Sequence, residues 1–539
     1  MTRRDQALGQ LRRQTFDVLI VGGGIVGAGI ARDAAMRGLR VALVEKGDFA
    51  SGTSSKTSKL IHGGLRYLEQ GHFHLVFESL RERHILHSIA PQWVWPLPFV
   101  IPVYATDARA AWKIGLGLTL YDALAGSRRF SRHRLLSKRA ALQQEIQLKG
   151  EDLRAAAWYV DCQMDDARLC LSNILQAASF GAACGNYVRV LAFNQLKGRL
   201  CGAVVEDVLT GAQWSLQARS IVNATGPWSD QIRRMSDRAA SVRMAPTKGI
   251  HVIVKRLTAQ ALFFQAQHDR RMIFLLPWGD YSLIGTTESG AHNLEALHAT
   301  AQEVDYLLGE VNRILPEAHV QAQDVVATYA GARPLLAFSS SATQASREHR
   351  LEIDQHGLLS VMGGKYTTFR VMAKQAVDTL TKQLHARTER CLTDQVMLME
   401  PTYPVVFHRW QDIAHRIDST VLQGLLTKYG VGAFRILELL DLEPGLSQWV
   451  CPHHTIMQAE LIHAMREEFA CTITDILVRR TAIAFSSCQG LDMLSTMLDL
   501  LHRYCRISRE TLETQLAAYH QFLAQGLAFR PVLVSAHER

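Results

Sequence analysis

Apolar residues along this chain recur with two different spacings, and the switches between them lay out its elements. The run Phe16-Asp-Val-Leu-Ile-Val21 reads as a buried strand; it enters the turn Gly22-Gly-Gly24, which opens a helix, and a second apolar run, Val41-Ala-Leu-Val-Glu45, ends in a carboxylate. Over residues 69–90, Leu75, Leu80, Ile85, Leu86 and Ile89 stand among charged residues and predict a helix. A further helix is expected over 169–178, with Asp165 or Asp166 as its N-cap. Short strands are expected over 187–192, 200–207 and 213–224, with turns at Lys197-Gly198 and Thr210-Gly211. Residues 247–287 are again β-rich and predict the sheet of a second, covering lobe. At Gly357-Leu-Leu-Ser-Val-Met-Gly-Gly-Lys-Tyr-Thr-Thr-Phe369 a strand enters a Gly-Gly turn, followed by a helix over 371–384. Beyond about Arg390 the pattern is helical. Met399-Glu-Pro-Thr-Tyr-Pro404 reads as a linker, placing a domain boundary near Pro401–Pro404 and a small all-helical domain from there to about Phe529.

Composition adds constraints. The 539 residues are 48% hydrophobic and 20% charged, which fits two or three folded domains and argues against long disorder. The nine cysteines show no paired spacing and no secretory signal precedes the first strand, so a reducing, cytoplasmic setting is expected. The basic segment 1–15 is too short for an organelle transit peptide. A net charge of +9 calls for an anionic partner. The basic residues form no stripe interleaved with aromatics, which argues against nucleic acid and leaves an anionic membrane surface or substrate. The longest uncharged run, 88–106, carries Pro91, Pro96, Pro98 and Pro102, which would break a spanning helix. With Trp112-Lys-Ile-Gly-Leu-Gly-Leu-Thr-Leu-Tyr121 it has two readings: a segment at a membrane interface, or extended core followed by a buried helix.

The chemistry starts at the first turn. Strand, Gly22-x-Gly24-x-x-Gly27, helix, strand and terminal acid make the dinucleotide-binding βαβ unit. Gly22 permits the turn, Gly24 admits a pyrophosphate, Gly27 lets helix and strand pack closely, and Glu45 is placed to accept from a ribose hydroxyl. A strand ending in Ala224-Thr225-Gly226, and the Gly363-Gly364 turn, offer further close backbone approaches. Cys451-Pro-His-His454 matches no common zinc spacing and has no second pair nearby in sequence. It reads as a loop at a helix N-terminus, and no metal is expected.

Around Ser58-Lys-Leu-Ile-His-Gly-Gly-Leu-Arg-Tyr67 the sequence resembles FAD-dependent glycerol-3-phosphate dehydrogenases. The resemblance continues through Asp161-Cys-Gln-Met-Asp-Asp-Ala-Arg-Leu169, Asn223-Ala-Thr-Gly-Pro-Trp228, Pro277-Trp278, Ile284-Gly-Thr-Thr-Glu288, Gly331-Ala-Arg-Pro-Leu335, Gly363-Gly-Lys-Tyr-Thr-Thr-Phe-Arg370 and Asp475-Ile-Leu-Val-Arg-Arg-Thr481. Ala332, Tyr366 and Phe369 are conservative departures. The resemblance implies an α/β fold: a Rossmann-type FAD domain of the glutathione-reductase and D-amino-acid-oxidase kind, a β-sheet substrate cap, and the all-helical end domain. The corresponding ranges are 1–390, with FAD-binding segments at about 15–85, 160–235 and 350–385, and 400–530. It further implies oxidation of sn-glycerol 3-phosphate to dihydroxyacetone phosphate, with hydride passing from C2 to flavin N5 and electrons passing on to a membrane quinone of the ubiquinone type. Attachment is then peripheral, on the inner face of the cell membrane, and a homodimer is compatible.

Site roles follow from those motifs. Arg333 suits the phosphate, because its fork donates parallel bonds to oxygens, and Lys365 adds a point charge; the competing reading for each is a solvated surface charge. Arg66 and Tyr67, after Gly63-Gly64, are placed to orient substrate. His251 is the candidate base for the C2 hydroxyl, against the reading of a buried histidine satisfied by backbone. Thr286 either bonds substrate or ends a strand. Ser54, Ser55, Ser58 and Lys59 are expected to hold the flavin and its phosphates, His62 to shape its pocket, and Gly226, Gly364 and Thr367 to touch it. Three rivals stand: an oxidase using O2 and giving H2O2, a flavin enzyme of the same fold acting on another 2-hydroxy acid or an amine, and a flavin-binding protein without turnover.

Overall fold

The computed structural model describes residues 1–68, 71–107, 109–291, 293–337, 349–398 and 417–530. The linker 399–404, with its Pro401–Pro404 boundary, and the Arg66 side chain lie outside the described residues.

Two large sheets carry the site. In the first, five strands run parallel in the order Leu358–Gly363, Gln213–Asn223, Thr15–Val21, Val41–Glu45, Ala183–Asn186. Their register sets Val21 between Val44 and Asn223, and Ile221 against Leu358. The strands are apolar without alternation because helices cover the sheet, among them Ile25–Met36, Asp166–Ser179 and Phe369–Leu384. Asp165 caps the second of these, its side chain accepting from the Arg168 amide. The chain leaves Thr15–Val21 toward one side and returns on the other, which opens a crevice at the carboxyl ends of these strands.

The segment before the first strand is part of the fold. Arg3–Arg13 is a helix closed by a Thr2/Asp5 capping box; it buries Ala7, Leu8 and Leu11 and sets the Arg4 guanidinium 2.7 Å from Asp207. Its apolar residues lie a helical turn apart, a pattern the basic composition of 1–15 conceals.

The second sheet has ten strands among the described residues. Val94–Tyr104 lies inside it, antiparallel to Leu153–Met164 from Val94 through Tyr104 and parallel to Ala261–Gln265 at Phe99 and Val100. The proline-rich apolar run is therefore core. Pro96, Pro98 and Pro102 have the same parity, so the donors they lack fall on one edge of the strand. The following helix, Ala111–Ala125, is different: Leu118 and Tyr121 are buried, while Trp112, Leu116 and Leu120, four residues apart, are exposed. At the far end of this sheet Thr247–Lys255 is flanked by Tyr281–Gly285 and Val325–Arg333.

The C-terminal part is mainly helical, with Ser419–Tyr429, Ala433–Leu442, Gln458–Glu467, Leu494–Cys505 and Arg509–Gly526. It departs from the all-helical expectation at one place, where Cys451-Pro-His-His454 turns a ribbon of Trp449–Cys451 and His454–Met457. Buried ion pairs fasten this part to the first sheet. Arg168 meets both oxygens of Glu468 at 2.7 Å, and Asp48 accepts from Arg479 and Arg480. Burial alone would raise the Glu468 carboxyl, but the Arg168 charge holds it at about 2.

Candidate active site

The crevice is lined by the turns the sequence marks. Gly22 takes φ of +111°, and a Cβ on Gly27 would lie 1.9 Å from the Gly22 carbonyl oxygen, so the helix starts against the strand end only because neither has a side chain. Gly24 caps Ile25–Met36, and the Ile25 amide donates to Ser54 Oγ at 2.9 Å. Glu45 accepts from the Gly23 amide at 2.7 Å and from the Gly47 amide at 2.9 Å, so its carboxylate also holds the turn, while burial pushes its pKa up. Gly226 and Gly364, both at positive φ, follow the neighbouring strands. Gly22, Glu45, Gly226 and Gly364 thus stand at the ends of four adjacent strands. Ser55 is buried in the turn Thr53–Ser55, which Thr53 Oγ1 ties to the Ala332 carbonyl at 2.7 Å. A cradle with a side-chain-free helix N-terminus fits a dinucleotide pyrophosphate.

Facing this cradle, the second sheet assembles the polar side chains. Register pairs Thr247 with Arg333, Gly249 with Gly331 and His251 with Tyr329, while Gly285 stands across from His251 on the other side. Residues two apart share a face, so His251 and Arg333 project together. Arg333 Nη2 donates to Thr286 Oγ1 and to the Thr287 carbonyl, both at 2.9 Å, and Nη1 makes longer contacts with Thr247 Oγ1 and the Lys248 carbonyl. A Cβ on Gly249 would lie 2.3 Å from Arg333 Nη2, so this glycine makes room for the guanidinium.

His251 is 4% exposed and stacks on Tyr329 with ring centroids 4.9 Å apart. Its Nε2 lies 2.8 Å from Ser58 Oγ, and among the described residues its Nδ1 meets no hydrogen-bond partner, which disposes of a histidine satisfied by backbone. Burial first, then the charges of Arg333 and Lys59, push its pKa down to about 3. The ring is therefore neutral at pH 7 and has a lone pair to accept a proton. Because its pKa is depressed below the unfolded value of about 6.5, the associated stability is complete above that pH and is lost as pH falls toward the folded value. Denaturation curves between pH 6.5 and 4 should lose up to about 1.4 kcal/mol per pH unit more in the wild type than in His251→Gln. Parallel curves would place the ring in water.

The remaining residues divide. Lys59 departs from its expected role: its ammonium is buried 2.5 Å from Asp166 Oδ1 and lies over the Trp278 ring, so its charge goes to a carboxylate rather than to a phosphate. Ser58 is directed at His251. Lys365 lies over the Tyr67 ring at 3.6 Å from its centroid, and Thr367 Oγ1 reaches the His62 carbonyl at 3.5 Å. These two pairs join the segment 62–67 to the segment 365–367, and the chain from Ser58 to Tyr67 links them to His251. Sequence reasoning overlooked the knot beneath: Thr57 and Lys59 both bind Asp166, Tyr366 Oη donates to its carbonyl, and Tyr329 Oη donates to the Thr57 carbonyl at 2.6 Å. Tyr329 was legible in principle, since two-residue alternation back from Arg333 puts it on the same face.

Residues 17–370 match the family model described as FAD dependent oxidoreductase, and residues 359–512 match that of the C-terminal domain of alpha-glycerophosphate oxidase. Fold and cradle thus define a flavoprotein oxidoreductase. The chain is 36% identical to the glycerol-3-phosphate dehydrogenase of Synechocystis sp., over 96% of this chain and 98% of that one. To the aerobic glycerol-3-phosphate dehydrogenase of Staphylococcus epidermidis it is 33% identical, over 96% and 95%. The structure of the glycerol-3-phosphate dehydrogenase from Bacillus halodurans complexed with FAD superimposes with a TM-score of 0.80 at 27% identity, covering 98% of both chains. The chain belongs to the FAD-dependent glycerol-3-phosphate dehydrogenase family.

Proposed function

We propose that this chain oxidises sn-glycerol 3-phosphate to dihydroxyacetone phosphate and delivers the electrons to a membrane quinone. The observation that carries the first half is a fixed guanidinium, Arg333, beside a buried neutral imidazole, His251, on the sheet facing the dinucleotide cradle. Bound FAD would supply the two-electron acceptor, held by Gly22, Gly24, Gly27, Ser54, Gly226 and Gly364. Arg333 binds the phosphate, with Thr286 and Thr287 fixing its fork. The C2 hydroxyl takes the place of Ser58 Oγ at His251 Nε2 and gives up its proton there as hydride leaves C2. Burial is the main cause that depresses His251 and the Arg333 charge the next; a phosphate dianion offsets the second of these. Lys365 and Tyr67 close the other side.

The test is an anaerobic titration. Glycerol 3-phosphate should bleach the visible flavin band, whereas glycerol, lactate and 2-hydroxyglutarate should not. Bleaching by lactate or 2-hydroxyglutarate instead would reassign Arg333 to a carboxylate.

The quinone half rests on the helix Ala111–Ala125. Trp112 and Leu116 are 64% and 65% exposed on the face that also shows Leu120, and Lys113 adds a charge suited to anionic headgroups. Beside it a cavity with an apolar wall of Leu65, Leu68, Ile101, Ile114, Phe263 and Met272, and with Asp107, Arg109, Lys113 and Gln265 also lining it, reaches the segment that carries Tyr67. Among the described residues no helix is long and apolar enough to cross a membrane, so the attachment proposed is to one leaflet. Trp112→Ser with Leu116→Ser should abolish sedimentation with anionic vesicles and cut quinone reduction at least about tenfold, while leaving anaerobic flavin reduction unchanged. Undiminished vesicle binding would move the attachment elsewhere, and rapid H2O2 production without quinone would identify an oxidase.

A further inference from the structure

Two distant cysteines and a histidine meet at the ribbon in the C-terminal part. Cys451 and His454 are cross-strand partners flanking its turn, and Cys451 Sγ lies 3.0 Å from His454 Nδ1. The turn spacing alone provides two donors. A third comes from the loop after Ile483–Phe485, where Cys488 Sγ lies 3.8 Å from the same His454 nitrogen. All three atoms fall within 4.8 Å of one another, Cys451 buried and the others half-buried. No second pair stands near Cys451 along the chain; Cys488 is a neighbour only in space.

We propose that Cys451, His454 and Cys488 bind a zinc ion, with water as the fourth ligand. Zinc bonds of about 2.3 Å to sulfur and about 2.0 Å to imidazole nitrogen, set tetrahedrally, put sulfur about 3.5 Å from nitrogen and the two sulfurs about 3.8 Å apart. The sulfur–nitrogen distances, 3.0 and 3.8 Å, bracket the first of these values and the sulfurs lie within 4.8 Å of each other, so closing on an ion needs only small side-chain movements. Two thiolates and an imidazole select a borderline-soft cation over magnesium or calcium, and the thiolates neutralise its charge. The Gly490 amide donates to Cys488 Sγ at 3.5 Å, the kind of outer hydrogen bond that supports a thiolate ligand. The half-buried side of the cluster admits water to the fourth position.

The position of the Cys488 loop gives the ion a structural task. The Ser487 amide donates to Tyr281 Oη at 2.7 Å, Gln489 Nε2 donates to the Val326 carbonyl at 3.0 Å, and Tyr519 Oη donates to the Gln489 carbonyl. Tyr281 is the first residue and Val326 the second of the strands that end, respectively, at Gly285, next to Thr286, and at Arg333. Zinc would clip the ribbon to the loop that ties the C-terminal helices to these two strands.

The full-length flavoprotein, produced with zinc present and desalted in reductant, should carry about one zinc per chain. Exchange for cobalt should give thiolate-to-metal absorption and the long-wavelength bands of a tetrahedral site, beyond the flavin spectrum. Cys488→Ser and His454→Ala should lose the metal, and Cys391→Ser should keep it. Should the variants not fold, maleimide labelling of the wild type with and without a chelator still decides the matter, because zinc should protect Cys451 and Cys488 together. Less than about a tenth of an equivalent of zinc, retention in Cys488→Ser, or a Cys451–Cys488 disulfide in freshly isolated protein would each overturn the site.

Discussion

Arg333→Ala should raise the glycerol 3-phosphate concentration needed for half-maximal flavin reduction by about 100-fold or more. Each hydrogen bond to a charged group contributes about 1.5–3 kcal/mol, and a guanidinium donates two to one phosphate. The neighbours amplify the loss: a dianion entering without Arg333 meets the Thr286 hydroxyl and the Thr287 carbonyl that had fixed the fork. Removing this charge also removes one of the causes depressing His251, so the pH below which reduction slows should move up from its wild-type position. Arg333→Lys should restore charge but not the fork and recover only part of the affinity. Stopped-flow reduction across substrate concentration and pH reads both effects. Unchanged concentration dependence would take Arg333 out of the phosphate site. By contrast, His251→Ala should slow the limiting rate with little change in half-saturation, since in the proposed reaction it removes the proton acceptor and not the anchor.

Asp48→Ala should destabilise the protein by about 3–5 kcal/mol, the usual cost of leaving buried charges without their partner. The Asp48 side chain is fully buried, and its carboxylate accepts from Arg479, from the two terminal Arg480 nitrogens and from Asn186. Burial favours its protonation, yet the two guanidinium charges hold its pKa below the ordinary value. The loss should show in chemical denaturation as earlier release of the C-terminal helices, before the nucleotide-binding sheet unfolds. Arg40→Ala, which breaks an exposed pair with Asp17, should cost less than about 1 kcal/mol. Equal effects would mean that the Asp48 cluster is open to water.

The parts of this molecule legible from the chain are those whose physics is local. Gly22, Gly24, Gly27 and Glu45 fall inside one βαβ unit, where strand length, turn and helix leave little freedom about where each residue goes. The strands Arg199–Asp207 and Gln213–Asn223 likewise follow from alternation, and the helix Phe369–Leu384 from the Gly363-Gly364 turn just before it. Charge was the least legible quantity. Lys59 has the composition of a phosphate ligand, and only Asp166, 107 positions away, reveals where its ammonium goes. The basic start of the chain conceals three apolar residues that dock a helix.

Candidate site residues were thus available before their arrangement. Motifs named Arg333, His251 and Thr286, but the antiparallel register of Val325–Arg333 and Tyr281–Gly285 about Thr247–Lys255 is what places a cation beside a neutral imidazole. The same holds for the Asp48–Arg480 clamp, which spans 432 positions, and for Cys488 beside Cys451 and His454. The reason is common to all three. Local sequence sets backbone conformation through sterics and short-range hydrogen bonds, whereas proximity between remote side chains exists only after sheets pair and cores pack, and that proximity determines charge state, ligand sets and reactivity.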